Sequence, residues 1–194
     1  MVNQHIQIEE PKATLSMHPK KFALWLFIVS IVMLFAALTS AYIVKQADGN
    51  WLSFKLPEIF VINTIVIALS SLTMHLAYMA AKNDLLQRVK WLLLVTVLLG
   101  VLFLIGQYIS WSELVNENVY FVSNYASGSF IYIFTGLHGL HLVSGLIFLL
   151  ITYASSLRLK IHAKNRLQIE MCMTYWHFLG GLWVYLYIFL LFNL

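Results

Sequence analysis

The chain has 194 residues, of which 61% are hydrophobic and 10% charged, with a net charge of +4 and one cysteine. A soluble domain of this length needs more polar side chains than that to clothe its surface, so the composition indicates an integral membrane protein. The lone Cys172 excludes an intrachain disulfide and any cysteine-clustered zinc or iron–sulfur site, and there is no Gly-rich loop to bind nucleotide phosphates.

The first 21 residues are polar, with Glu9, Glu10 and Pro11 among them, and no small-residue cleavage site follows. They read as a polar cytoplasmic segment ahead of a single membrane domain, residues 22–194. Five apolar runs come next, at 22–44, 59–81, 91–111, 130–157 and 171–194. Each approaches or exceeds the ~20 residues a helix needs to cross a bilayer. None alternates apolar and polar residues as a transmembrane barrel strand does, so the expected fold class is all-α, a polytopic bundle of five transmembrane helices. The longest expected connection, 112–129, is too short for a soluble domain.

Basic residues fix the expected orientation. Lys12, Lys20 and Lys21 precede the first span; Lys82, Arg88 and Lys90 lie between the second and third; Arg158, Lys160, Lys164 and Arg166 lie between the fourth and fifth. Lys45 and Lys55 fall on the other side. The N-terminus is therefore expected in the cytoplasm and the C-terminus on the opposite face. The same bias accounts for the net positive charge without a nucleic-acid partner.

Every span carries a face of small or polar residues. Thr64, Ser71 and His75 share one in the second span; Thr96, Gly100, Gln107 and Trp111 line up in the third. His138, His141 and Gly145 share a face in the fourth. In the fifth, Glu170, Thr174, His177 and Gly181 form one stripe, and Trp176, Gly180, Trp183 and Tyr187 form a second that reads as lipid or helix contact.

Histidine inside a membrane span is costly and is usually buried against protein or functional. His141 and His177 differ too much in expected depth to hold one haem, at roughly 24 Å and roughly 10 Å from the cytoplasmic ends of their spans. His75 and His177 do match, which leaves room for a haem between the second and fifth spans. His138 and His141 at i, i+3 could start a metal site, but no neighbouring span offers a carboxylate or cysteine at that depth. The simpler reading makes them hydrogen-bonded packing residues.

Two stretches are the most distinctive: Thr135-Gly136-Leu137-His138-Gly139-Leu140-His141 and Tyr175-Trp176-His177-Phe178. Together with Trp25-Leu26-Phe27, Ser40-Ala41-Tyr42, Asn63-Thr64, Ser70-Ser71, and Leu99-Gly100 followed by Phe103 and Gln107, they resemble subunit III of the haem–copper terminal oxidases. The motifs fall in family order on all five spans. Longer members carry two additional leading helices, so this chain is similar to the short bacterial form.

The resemblance implies a non-catalytic subunit of a cytochrome c or quinol oxidase in the bacterial inner membrane, supporting aerobic electron transport and proton uptake. Haem and copper would reside in partner subunits, above all subunit I; phospholipid would be bound here, and the oxidase could join a respiratory supercomplex. The implied lipid-binding or structural residues are His75, Gln107, His138, His141, Glu170, Trp176 and His177, with no catalytic, cofactor or metal residue in this chain. A subunit III-like accessory protein of a nitric oxide reductase, a small transporter and a haem-binding membrane protein are the competing readings. Three family carboxylates are replaced, by Ile31, Ser110 and Gly180, so a structural and lipid-binding role is expected rather than a proton relay.

Overall fold

The computed structural model describes residues 18–47, 49, 51, 55–122, 126–158 and 166–194. Five helices account for nearly all of them: α1 (Pro19–Ala47), α2 (Ile59–Lys82), α3 (Leu86–Asn116), α4 (Ala126–Leu157) and α5 (Leu167–Asn193). All five are long and apolar enough to cross a membrane. The protein is a multi-pass membrane helical bundle, as expected from the sequence.

The helices overrun the apolar stretches at several ends. α1 begins at Pro19, where a missing N–H costs nothing because the first-turn donors have no intrahelical partner, so Lys20 and Lys21 are helical rather than part of a separate tail. The rest of the expected polar segment, residues 1–17, lies outside the described residues. α3 continues through Ser112 and Glu113 to Asn116, and α4 starts at Ala126, so the expected 112–129 connection shrinks to residues 117–125. Apolar pattern marks the width of the bilayer, whereas backbone hydrogen bonding carries a helix beyond it. The turn between α2 and α3 is tight, with Asp84 at a φ of 55° and Leu85 N donating to Ala80 O at 3.0 Å.

α2, α3, α4 and α5 form a closed ring, each packed against its two neighbours, α5 completing it against α2. α1 stands outside this ring and meets only α4 and α5. Lys21 at the start of α1 pairs with Glu170 in the first turn of α5, while Tyr42 Oη and Gln46 Nε2 near its end both donate to Asn193 O. α1 and α5 therefore run parallel, as the first and fifth spans of one bundle must.

Small residues let the ring close. A Cβ on Gly100 would meet the Trp176 ring at 2.8 Å, one on Gly145 would meet Leu179 at 2.7 Å, and one on Gly180 would meet Ser71 Oγ at 2.9 Å. The amide of Asn63 occupies the space a Gly106 side chain would need. Van der Waals packing is the main force holding helices together where lipid is as apolar as leucine, so these contacts matter more here than in water.

Candidate functional site

The aromatic core of the ring is built on α5. Trp176 and Trp183 are both buried, each with its indole N–H aimed at a hydroxyl of α2: Trp176 Nε1 to Ser70 Oγ at 2.8 Å, and Trp183 Nε1 to Thr64 Oγ1 at 3.0 Å. The stripe predicted as lipid or helix contact is, at these two residues, helix contact. Phe60 stacks on Trp183 at 5.6 Å and Phe103 meets it edge-on at 4.8 Å. A further indole bond, Trp111 Nε1 to Thr135 Oγ1 at 3.0 Å, ties α3 to α4.

The two histidines of α4 part company. His138 turns into the ring and is fully buried between Phe103 and Trp183, with ring centroids 5.8 and 5.2 Å away. His141 turns outward to α1, its ring 6.0 Å from Phe35, and its Nδ1 donates to Leu137 O at 2.7 Å. They do not converge on a shared ion. Among the described residues no three His, Cys, Asp or Glu side chains gather.

His75 and His177 do come together, their ring centroids 6.0 Å apart and tilted by 46°. Their equal depth was legible from the spacing. α2 and α5 nevertheless pack directly at Gly180 and Ser71, one turn away, which closes the slot a porphyrin needs. Glu170, on the same stripe as His177, is engaged by Lys21 Nζ at 2.6 Å, and both side chains are about one-third exposed. In the sequence Lys21 is only a topological charge, and its separation of 149 residues from Glu170 leaves no local signal of the pair.

A cleft of about 380 Å³ opens between α1 and α5, lined by Val32, Phe35, Ala36, Phe178, Gly181, Leu182 and Tyr185. Beyond its chain neighbours and its own helix backbone, no atom of the described residues lies within 4 Å of where a Gly181 Cβ would sit. The sequence showed the small residue but not the gap, because the gap depends on α1 standing off the ring. At its outer end Tyr185 Oη donates to Thr39 Oγ1 at 3.3 Å; toward the other end Tyr175 Oη lies 2.7 Å from Ser144 Oγ.

The three positions at which the resemblance implies carboxylates hold packed residues. Ile31 is 2% exposed. Ser110 is buried and donates to Gly106 O at 2.9 Å, and Gly180 lies beneath Ser71. Gln107 is also buried within the ring, and among the described residues its amide has no hydrogen-bond partner.

Residues 9–193 match the family model of cytochrome c oxidase subunit III. The chain is similar to cytochrome bo(3) ubiquinol oxidase subunit 3 of Buchnera aphidicola, 28% identical over 90% of this chain and 94% of the relative. It is also similar to the probable cytochrome c oxidase subunit 3 of Nocardia farcinica, 36% identical over 84% of this chain and 82% of that one. Against human cytochrome c oxidase subunit 3 the identity is 27%, over 87% of this chain and 67% of the longer relative. A membrane helical bundle with the ordered motifs of α1 to α5 and a family match along nearly its whole length belongs to the cytochrome c oxidase subunit III family.

Proposed function

We propose that this chain is the non-catalytic third subunit of a respiratory haem–copper oxygen reductase in a bacterial cytoplasmic membrane. It stabilises the catalytic subunit I laterally and holds phospholipid at their shared boundary, sustaining proton uptake and turnover without handling protons itself. Haem and copper belong to the partner subunits. Residues 22–194 form the membrane domain that does this work, and the preceding polar segment faces the cytoplasm.

The observation that carries the lipid-binding role is the apolar cleft between α1 and α5. It is open at the bundle surface, lined by hydrocarbon and aromatic side chains, and deepened by the missing side chain of Gly181. An acyl chain removes that apolar surface from other contacts without needing a polar partner, and the Lys21–Glu170 pair at the start of both helices offers charged groups at headgroup level. The replacement of the family carboxylates by Ile31, Ser110 and Gly180 supports a role without proton relay.

Filling the cleft tests the reading. In the assembled complex, Gly181→Phe or Ala36→Phe is expected to reduce the phospholipid that co-purifies and to shorten the active lifetime during turnover, with the initial rate unchanged. An unaltered lipid complement and lifetime in both variants would reject lipid binding in this cleft.

A further inference from the structure

Three polar side chains of the ring interior have no partner among the described residues at five of their nitrogen and oxygen atoms: Asn63 Nδ2, Gln107 Nε2 and Oε1, and His138 Nδ1 and Nε2. They come from α2, α3 and α4, and each residue is at most 3% exposed. Groups left unpaired in a hydrocarbon environment are strongly disfavoured, so such a set requires a ligand.

The surrounding contacts put the three in one layer. Trp183 touches His138, Phe103 and Phe60, and bonds Thr64, the residue after Asn63. The Asn63 amide packs on Gly106, the residue before Gln107. Gln107 sits one turn from Phe103, which meets the His138 ring, and one turn from Trp111, which bonds Thr135. It therefore faces the α4 segment between Thr135 and His138. Next to His138, Gly139 is buried, yet beyond its chain neighbours and its own helix backbone no atom of the described residues lies within 4 Å of where its Cβ would be, so the segment has room on that side.

We infer that Asn63, Gln107 and His138 enclose a sealed hydration site, a small cluster of water molecules held inside the four-helix ring at the level of Trp183. The donor and acceptor types select water over an ion. Both amide nitrogens donate only, the Gln107 oxygen accepts only, and a neutral imidazole supplies one donor and one acceptor. A cation would confront the amide N–H groups, and an anion the acceptors. Water donates and accepts, and a buried water typically uses about two to four such partners. The site does not depend on the oxidase reading, since it lies wholly within this chain.

Solid-state NMR of the full complex in membranes, with histidine rings labelled in ¹⁵N in this subunit alone, reads the site directly. Magnetisation transferred from water is expected to reach the His138 nitrogens, and Gly139→Leu, which fills the adjacent space, is expected to abolish that transfer while His75, His141 and His177 keep their signals. Substitution by Asn of the other six histidines, His5, His18, His75, His141, His162 and His177, assigns His138 by elimination even where a His138 variant fails to assemble. A His138 ring dark to water in the wild-type complex, or a direct coupling between the Gln107 amide and the His138 ring that satisfies both, would overturn the inference.

Discussion

Trp176 of α5 and Ser70 of α2 are joined by a 2.8 Å hydrogen bond inside a bundle where both are buried. The same indole lies against Gly100 of α3 and Gly145 of α4, so one side chain meets all three other helices of the ring. Trp176→Phe removes the bond and part of the ring volume, with an expected loss of about 1 to 2 kcal/mol, given that interhelical hydrogen bonds in membranes average roughly 0.6 and reach about 1.7. Ser70→Ala is expected to cost a similar amount by leaving the indole N–H unpaired. Thermal dissociation of the purified complex compares them, and the double variant should lose less than the sum of the two because both remove the same bond.

Glycine substitutions separate close packing from open space. Gly100→Ala forces a contact with the Trp176 ring that must be relieved by movement, with an expected cost of about 1 to 3 kcal/mol. Gly181→Ala adds a methyl group where no other helix among the described residues comes within 4 Å, and is expected to be neutral. Equal stability of the two variants, measured by the same thermal dissociation, would show that the ring is looser than these contacts imply.

The spans, their order and the equal depth of His75 and His177 were all legible in the sequence, because hydropathy and a period of 3.6 residues express them directly. The divergence of His138 and His141 was not. Residues at i, i+3 share a broad face, but the seam between α1 and the ring runs through that face and sends one imidazole inward and the other to Phe35. Nor did periodicity show that Glu170 has a partner, since Lys21 reaches it from a helix four spans earlier. Trp176 and Trp183 stood out as a stripe, yet only the packing of α2 decided that they bond Ser70 and Thr64 rather than face lipid.

The Lys21–Glu170 pair is one-third exposed and spans two helix ends, so screening limits its value to roughly 0.2–1 kcal/mol. Glu170→Gln combined with His177→Asn is expected to leave proton pumping and turnover-dependent inactivation unchanged. Measurement on the assembled enzyme in vesicles checks this; a faster inactivation or a lower pumping ratio would assign the stripe a protonic role.

Ile31, Ser110 and Gly180 stand at the positions within the spans where the family resemblance implies carboxylates. Treatment of the native complex with a hydrophobic carbodiimide, followed by peptide mapping, is expected to find no labelled residue within α1 to α5 at membrane depth. Ile31→Glu is expected to restore labelling at that position, at a cost in stability because Ile31 is buried.

The most direct test of membership in an oxidase is purification of this chain from its native membranes in mild detergent, with identification of its partners and a reduced-minus-oxidised visible spectrum of the same sample. The account predicts a large polytopic haem–copper subunit in stoichiometric amount and the haem spectrum that accompanies it. A chain that arrives without that subunit, whether bare or carrying haem of its own, would contradict it.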